Sequence, residues 1–302
     1  MAAKRNCTVI GTIALYGDTM PLLYFWRGDN YRRDLDYGAG FNLNQASPLL
    51  HQIERGDSLW AFTRRRDGTY VLAAELIVWA KTLNMPNFRY GRYRVWGDLA
   101  RSRYFKVEGQ ASIEPIIRAL TCRANAPVLG MSFQGNAAIR QLSNTDHLYL
   151  VAAARQLEAE PRARILAEDR LEAALLYGAD DEVAAFIREE KSGIAEQRAR
   201  YLFQVAPARN RDLVASLQSQ YDGRCQICTW SPRPVYGQSL CQGHHLQWLS
   251  RGGEDRMDNL VLVCPNHHAA IHRCDAAFDF TDWSFVFPDH REPLQLSQHL
   301  AD

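Results

Sequence analysis

Cysteines and histidines gather in one stretch of the chain, residues 225–272. Their first pattern is a Cys225-x-x-Cys228 pair followed by a Cys264-x-x-His267 pair. Two such pairs, each able to lie on a tight turn, bring four sulphur and nitrogen ligands to the corners of a tetrahedron, as in structural zinc sites. We expect a structural Zn²⁺ ion at these four residues, and ordinary buried cysteines are the alternative.

A second set of histidines is interleaved with the first pattern. His268 and His272 are four positions apart, so a helix places both imidazoles on one face. The run Leu260–Val263 predicts a strand that enters this helix, and the pair His244-His245 predicts an earlier strand. Two strands and a helix would then surround one site with its own metal ion.

The second pattern resembles the motif of the HNH, or ββα-metal, nucleases, which include DNase colicins and many restriction and homing endonucleases. The spacing HH-x6-GG-x5-N-x8-H-x3-H is filled at every position, by His244, His245, Gly252, Gly253, Asn259, His268 and His272. The zinc-binding subgroup of this family matches further through the four residues of the first pattern. The resemblance covers roughly residues 209–279, and Trp248 departs from it at a packing position where the family often has proline.

The resemblance implies a role for each residue of the motif. His245 would be the general base that activates water against the scissile phosphate, and Asn259 would orient its ring through a hydrogen bond. His244 and His268 would bind one divalent ion, Mg²⁺, Mn²⁺ or another, while His272 would complete the ligand set or hold the phosphate. The chemistry of imidazole agrees, because a neutral imidazole titrates near working pH. The alternative is a degenerate HNH fold that is kept only as a zinc-binding module.

Length and composition favour a folded cytoplasmic protein. The chain has 302 residues, of which 47% are hydrophobic, which is enough for two domains with their own cores. No run of some 18 apolar residues predicts a membrane span, and we expect no membrane partner. Cys7, Cys122, Cys241 and Cys274 remain outside the zinc pattern and are expected to be unpaired thiols in a reducing compartment.

The net charge of +1 hides an asymmetry between the two halves of the chain. Residues 1–155 contain 20 Lys and Arg against 12 Asp and Glu, whereas residues 156–302 contain 15 against 22. A basic half suits the phosphate backbone of DNA, whose neutralisation supplies most non-specific affinity. We therefore expect double-stranded DNA as the partner and the first half as its main binding surface, with an arginine-rich solvated surface as the alternative.

Residues 1–155 predict a small α+β domain with a barrel-like sheet, because several strands and a few helices occur without βαβ regularity. The predicted strands are Leu22–Trp26, Ser58–Thr63, Tyr70–Lys81 and Tyr90–Trp96, with a hairpin turn at Arg64–Gly68. The predicted helices are Pro48–Arg55, Glu114–Cys122 and Thr145–Leu157.

The segment Gly56–Trp60 with the following strand Tyr70–Trp79 resembles the PUA superfamily, within it the EVE, ASCH and YTH branches. That resemblance implies a PUA-like β-barrel that reads a modified base by flipping it into an aromatic pocket. Extrusion of a base costs a few kcal/mol, and stacking on aromatic faces offsets it. The candidate pocket residues are Trp26, Trp60, Trp96, Phe41 and Asn42, with Asn44 beside Asn42 in a predicted loop. Plain core packing is the alternative for each of them, and an unrelated DNA-binding α+β domain is the alternative fold.

The second half of the chain divides in two by composition. Residues 156–206 are rich in Ala, Glu, Leu and Arg with helical periodicity, which predicts a helical linker between the domains. Residues 207–302 then form the HNH domain, which begins with a helix over 207–224. In its tail, Phe278, Phe280, Trp283, Phe285 and Phe287 alternate as in a strand.

These observations predict an enzyme, a modification-dependent DNA endonuclease of the restriction type. The first domain would recognise 5-methylcytosine or 5-hydroxymethylcytosine, and the HNH domain would hydrolyse phosphodiester bonds nearby. We expect a homodimer, since one site cuts one strand and cutting a duplex needs two sites. The alternatives are a non-specific or mobile-element HNH nickase and a catalytically inactive, zinc-stabilised binder of nucleic acid.

Overall fold

The computed structural model describes residues 20–36, 41–135, 138–160, 163, 181, 206–251 and 253–300. Most of the predicted helical linker lies outside the described residues, and so does the segment 1–19. The domain limits 1–155, 156–206 and 207–302 therefore stay predictions. In the described part of the chain, no helix is both long and apolar enough to cross a membrane.

The amino-terminal part is a mixed α and β structure around a curled sheet. Its strands are β1 (Leu22–Trp26), β2 (Asn42–Gln45), β3 (Ser58–Arg64), β4 (Tyr70–Leu83), β5 (Tyr93–Gly97), β6 (Arg103–Tyr104) and β7 (Ile139–Gln141). Its helices are α1 (Gly28–Asp36), α2 (Leu49–Gln52), α3 (Glu114–Ala119) and α4 (Asn144–Ala154), with a 3₁₀ turn at Leu129–Ser132.

The sheet runs in the order β2-β5-β4-β3-β1-β7, and β6 pairs with the middle of β4. Only β1 and β3 pair in parallel among the described strands, and a crossover through α1, β2 and α2 joins them. The long strand β4 pairs with β3 along its first half and with β5 along its second half. Its pairing shifts register between Val78 and Ala80, an irregularity of the kind that bends a strand and lets the sheet curl.

Both faces of the sheet are buried. Leu22 and Leu59 pack in one core to which α1 and α2 contribute, whereas Leu23 and Trp60 pack in a second core that α3 and α4 close. Neighbouring residues of a strand point to opposite faces, so each central strand supplies both cores. This explains why β3 and β4 read as nearly continuous apolar runs, which is typical of strands covered on both sides.

Most predicted elements of this part are confirmed, with changes at their ends. The predicted hairpin turn is present, and Gly68 in it has a φ of 91°, a left-handed conformation that glycine adopts without strain. The prediction that Asn42 and Asn44 lie in a loop is wrong, because both belong to β2, which pairs with β5. A short polar strand has no apolar alternation, so periodicity did not reveal it.

The carboxyl-terminal part contains α5 (Ala206–Gln220), α6 (Arg233–Tyr236), β8 (Gln242–His245), β9 (Leu260–Val263) and α7 (Pro265–Cys274). β8 and β9 are antiparallel, with His244 opposite Val261, and α7 follows β9 directly. The predicted ββα unit is confirmed. Beyond it lie β10 (Ala277–Asp279), β11 (Ser284–Val286) and β12 (Arg291–Pro293) in one antiparallel sheet.

The aromatic tail forms a hairpin rather than the single alternating strand that we predicted. A turn separates β10 from β11, and Trp283 in it has a φ of 52°. Phe278 and Phe285 then face each other across the two strands, with ring centroids 4.9 Å apart. Their side chains form a large part of the core beneath the ββα unit.

The two parts of the molecule are in direct contact through β4 and β5. The amide of Phe280 donates to the carbonyl of Leu83 at 3.1 Å, and the indole Nε1 of Trp79 donates to the carbonyl of Asp275 at 3.0 Å. The sheet of the first part thus lies against the end of α7 and the strand that follows it.

Candidate functional site

The four residues of the Cys/His pattern converge on one point. One ligand atom from each of Cys225, Cys228, Cys264 and His267 lies within 4.8 Å of the other three. In a tetrahedral zinc site, with bonds of about 2.0–2.3 Å, ligand atoms are separated by roughly 3.3–3.8 Å. The separations of 3.1 Å from Cys264 Sγ to His267 Nδ1 and 3.5 Å from Cys225 Sγ to the same nitrogen are near this range. The group therefore fits a tetrahedral metal ion.

Local structure explains how these ligands are aimed. The amide of Thr229 donates to the carbonyl of Cys225 at 2.8 Å, which closes a tight turn around the first pair. Cys264 is the N-cap residue of α7, and His267 lies in the first turn of that helix. His267 turns Nδ1 to the sulphurs while its Nε2 lies 3.3 Å from Glu292 Oε2, a carboxylate of the type that orients metal-binding histidines.

Two of the three cysteines of this group, Cys225 and Cys264, are buried. Burial chiefly raises the pKa of Cys225 to about 12, and the neighbouring Cys264 adds to the rise. Buried Cys241 lies close by, and its pKa is raised to about 12 by burial first and then by Cys264 and Cys228. Thiolates in such surroundings need a compensating positive charge, and a bound metal ion supplies one.

The second group consists of three imidazoles between β8 and α7. The ring centroids lie 5.4 Å apart for His244 and His268, 4.8 Å for His244 and His272, and 4.6 Å for His268 and His272. His244 is buried, whereas the other two are half-buried, so the group opens on the side of α7. Three neutral imidazoles with an open side suit a divalent ion that keeps coordination positions for other ligands.

His245 faces away from this group of rings. Adjacent strand residues point to opposite faces, and His245 Nε2 lies 3.0 Å from Asp255 Oδ1 in the loop between β8 and β9. Both side chains are only 3% exposed. A buried carboxylate fixes the orientation and tautomer of an imidazole, as in other histidine–carboxylate pairs. Nothing in the motif spacing marked Asp255, which is one of two acidic residues directly after Gly253.

The side chain of Asn259 holds the loop. Its side-chain oxygen accepts from the amide of Gln247 at 2.8 Å, and its Nδ2 donates to the carbonyls of Gln247 and Glu254 at 2.9 and 2.7 Å. These three bonds engage the Asn259 amide with the main chain of the loop, and the expected orientation of His245 by Asn259 stays a prediction. The bond to the Glu254 carbonyl holds the main chain directly before Asp255, the partner of His245.

The loop between the two strands reaches both the helix and the first part of the molecule. Trp248, at the position where the motif departs from the family, packs its ring 5.0 Å from His272. Arg251 pairs with Asp275 at 2.6 Å, and its guanidinium lies over the rings of Trp248 and Trp96. Gly252 lies outside the described residues. Gly253 has no room for a side chain, since a Cβ there would be 1.9 Å from the carbonyl oxygen of Gln247.

Two of the predicted base-pocket aromatics lie together on one face of the sheet. The ring of Tyr104 packs against Trp26 at 6.0 Å and against Phe41 at 4.8 Å, and Tyr31 packs edge-on to Trp26 at 5.2 Å. Trp26 is half-buried and Phe41 is buried. Asn42 follows Phe41 at the start of β2, where its Oδ1 accepts from Asn44 Nδ2 at 3.0 Å.

The other two predicted tryptophans lie elsewhere. Trp60 is buried in the core on the opposite face, where its Nε1 donates to His147 Nδ1 at 3.0 Å. Trp96 is buried at the contact with the carboxyl-terminal part, and its Nε1 donates to Thr82 Oγ1 at 2.8 Å. The expectation that Trp26, Trp60 and Trp96 share one pocket is thus corrected, because alternation along β1, β3 and β5 separates them.

Comparison with known proteins places the carboxyl-terminal part in a family. Residues 225–273 match the model of the HNH endonuclease family, so the chain contains an HNH endonuclease domain. This match covers both groups of metal-type ligands, with His245 and Asn259 between them. No curated protein sequence matches the chain significantly.

Two solved structures are similar to larger parts of the chain. The "Modification dependent TagI restriction endonuclease" aligns with 13% identity and a TM-score of 0.24 over 80% of this chain and 56% of its own. The "Type IV phosphorothioation-dependent restriction endonuclease ScoMcrA" aligns with 14% identity and a TM-score of 0.20 over 76% and 44%. The chain therefore spans about half the length of each, and TM-scores this low do not establish a shared arrangement of the whole chain.

Proposed function

We propose that this protein is a modification-dependent DNA endonuclease of the restriction type. In this proposal the HNH domain hydrolyses phosphodiester bonds, and the amino-terminal part recognises a flipped 5-methylcytosine or 5-hydroxymethylcytosine. The observation that carries the nuclease assignment is the group of three imidazoles on a ββα unit, with buried His245 next to His244 on β8 and on its opposite face.

His245 is the proposed general base. Asp255 engages Nε2, which favours the tautomer with the proton on that nitrogen and directs Nδ1 to accept the proton of the attacking water. Asn259 keeps Asp255 in place through the loop. A divalent ion held by His244, His268 and His272 would supply neutralisation of charge at the scissile phosphate and the leaving oxygen.

The Cys225, Cys228, Cys264 and His267 group is proposed to bind structural Zn²⁺. Four ligands fill a tetrahedron and leave no position for a substrate, so this ion would stabilise the domain rather than take part in hydrolysis. Glu292 supports the group by its contact with His267. The two groups share α7, so the proposed zinc also fixes the helix that presents His268 and His272.

Recognition of the modified base is proposed for the amino-terminal part, as a PUA-like domain. Trp26 and Phe41, gathered around Tyr104, are the aromatic side chains that support a pocket on one face of the sheet. Asn42, directly after Phe41, is proposed to meet the edge of a base, because an amide offers both a donor and an acceptor. The amide of Asn44 is engaged with Asn42, Asn84 and Arg94. Trp60 and Trp96 would support this pocket only through the packing of the sheet.

The partner is proposed to be double-stranded DNA that contains modified cytosine. The excess of basic residues in 1–155 supports this part as the main source of affinity for the phosphate backbone. One HNH site cuts one strand, so a homodimer is proposed for cleavage of both strands.

The test is digestion of one DNA sequence prepared with unmodified, methylated, hydroxymethylated and glucosylated cytosine, in the presence of Mg²⁺ or Mn²⁺. We expect cleavage of the methylated or hydroxymethylated DNA and little cleavage of the unmodified DNA. Equal cleavage of all four would instead support a non-specific nickase. Binding without cleavage of any would support a zinc-stabilised binder and overturn the enzymatic proposal.

A further inference from the structure

The loop between β4 and β5, residues 84–92, lies near the loop between β8 and β9 that carries Asp255 and Asn259, the catalytic loop. We propose that this β4–β5 loop is a DNA-contacting element that holds the backbone beside the cleavage site. This inference rests on the proposed function, since it specifies how the DNA of that proposal is held. It concerns a surface distinct from both the aromatic group around Tyr104 and the two groups of metal-type ligands.

The β4–β5 loop has an unusual surface for a soluble protein. Met85, Phe88 and Tyr90 are 40%, 36% and 44% exposed. Arg89 and Arg92 are exposed among them, and residues 76–97 contain no Asp or Glu. Exposed aromatic rings interleaved with arginines, without a neighbouring acid in sequence, are complementary to the phosphates and bases of a nucleic acid.

Hydrogen bonds fix the main chain of the β4–β5 loop, although its aromatic rings are exposed. Asn84 Nδ2 donates to the carbonyl of Gly91 at 2.8 Å and to Asn44 Oδ1 at 2.9 Å, and the amide of Gly91 donates to the carbonyl of Phe88 at 3.0 Å. Gly91 has a φ of 105°, and a Cβ there would be 2.3 Å from the amide nitrogen of Ala46. An ordered loop that presents apolar rings to solvent loses little conformational entropy when a partner binds.

One buried arginine connects this loop to the catalytic loop. The guanidinium of Arg94 lies 5.4 Å from the ring of Phe88, and its Nη1 donates to Gln247 Oε1 at 3.3 Å. Gln247 lies two positions after His245, the proposed general base. Its main-chain amide donates to the side chain of Asn259. Phe88 and the catalytic loop are therefore separated by the breadth of one guanidinium group.

The position and chemistry together favour duplex DNA as the occupant. Each strand carries a phosphate about every 3.4 Å along the axis, so a surface beside the site meets the phosphates that flank the scissile bond. Arg89 and Arg92 suit those phosphates, which fix the register of a protein on DNA. Phe88 and Tyr90 suit a groove or a partly unstacked base step, where apolar side chains act as wedges.

The first arm of the test removes the charge. DNA affinity is measured by fluorescence anisotropy at several salt concentrations, with His245→Ala in every protein so that the duplex stays intact. For Arg89→Ala with Arg92→Ala, we expect the slope of log affinity against log salt to become shallower by about 1.8, since each lost phosphate contact removes about 0.9. Arg89→Lys with Arg92→Lys should keep the slope. Arg155→Ala, an exposed arginine at the end of α4, is the matched control and should leave it unchanged.

The second arm removes the rings. Phe88→Ala with Tyr90→Ala should weaken binding about tenfold at fixed salt, with little change in slope, because stacking carries no charge. Unchanged affinity together with loss of a dimer in sedimentation would overturn the inference, since the rings would then form a subunit interface. Melting temperatures of all variants should match that of the parent protein, because the altered side chains are exposed.

The inference can fail separately from the proposed function. If the wild-type protein cuts modified DNA and the arginine double variant keeps the parental slope, the β4–β5 loop does not hold the backbone and the inference is overturned. If the wild-type protein cuts modified and unmodified DNA equally, the proposed function fails. A shallower salt dependence of DNA affinity in the arginine double variant would still show that this loop contacts DNA.

Discussion

The HNH domain carries two groups of metal-type ligands that share one helix but differ in chemistry. The Cys225–Cys228–Cys264–His267 group has four ligand atoms within 4.8 Å of one another, three of them sulphur. The group of His244, His268 and His272 has three imidazoles and an open side at α7. A closed group of soft ligands suits an ion that stays in place, and an open group of imidazoles suits an ion that meets a substrate.

This difference indicates that one group of ligands stabilises the fold and the other serves catalysis, within about 50 residues of sequence. The first group connects the turn that precedes the ββα unit with the start of α7, so its ion would stabilise the fold. The second group lies between β8 and α7 beside the catalytic loop, so its ion would act on the phosphate. Changes in the first group should therefore appear as lost stability, and changes in the second as lost cleavage.

The largest effect is expected from Cys225→Ala. Structural zinc contributes about 10–16 kcal/mol of apparent binding free energy in small zinc domains, which is comparable to the whole stability of a domain. The variant should lose its zinc, and the HNH domain should unfold, as measured by metal content and by circular dichroism. Cys122→Ser, which changes a half-buried thiol of the first part, should keep both. Zinc content and melting equal to wild type would contradict a structural role.

The next effect is expected from His245→Ala. A positioned general base supplies about 10²–10⁴-fold of rate, so the single-turnover cleavage rate should fall by that factor while zinc is kept and the domain stays folded. The melting temperature should fall modestly, because Asp255 loses its buried partner. His290→Ala is the matched control, because His290 lies in the same domain and is exposed, where it stacks on Phe287 and lies 3.3 Å from Glu292. Cleavage by His245→Ala at the wild-type rate would remove His245 from the reaction.

The residues of both groups were predictable because their spacing is local. A Cys-x-x-Cys pair, a Cys-x-x-His pair and two histidines four positions apart define turns and a helical face by themselves. The ββα unit follows from the apolar run Leu260–Val263 between them. Local geometry of this kind needs no knowledge of the rest of the fold.

The partners of those residues were not predictable, because tertiary packing selects them. Glu292 reaches His267 from β12, and Asp255 reaches His245 from a loop whose other acids are exposed. The separation of Trp26, Trp60 and Trp96 had the same cause, since only the register of the strands shows which face each ring occupies. The polar strand β2 was missed because Asn42–Gln45 has no apolar alternation.

A smaller effect is expected from Asp255→Asn, which tests how much the activity of His245 depends on the orientation of its ring. Loss of the carboxylate should slow cleavage about tenfold, a fraction of the rate that a positioned base supplies, without a change in zinc content. Asp258→Asn is the control, because Asp258 lies in the same loop but pairs with Arg256 at the surface. Equal rates for the two variants would show that Asp255 does not orient His245.

The smallest effect concerns His147, a buried histidine outside both groups. Burial lowers the pKa of His147 below 6.5, with Glu75 acting in the opposite direction, and Nδ1 accepts from Trp60. A histidine whose pKa is lower in the folded than in the unfolded protein stabilises the fold at pH values above its unfolded pKa. This stability is lost as pH falls below about 6.5, because the unfolded chain then binds the proton more readily. The melting temperature should therefore fall by a few degrees between pH 7.5 and 5.5, and less in His147→Gln. Identical pH dependence in the two proteins would contradict this account.

The most direct test of the division of work compares His244→Ala with His267→Ala, one histidine from each group. Melting curves, zinc content and cleavage rates are measured on the same preparations. We predict that His244→Ala keeps its zinc but does not cleave DNA, and that its melting temperature falls only by the cost of the cavity left by a buried ring. His267→Ala should lose zinc and melt at a much lower temperature. Loss of stability in His244→Ala with retained stability in His267→Ala, or parallel losses in both, would contradict the assignment of one group to the fold and the other to the chemistry.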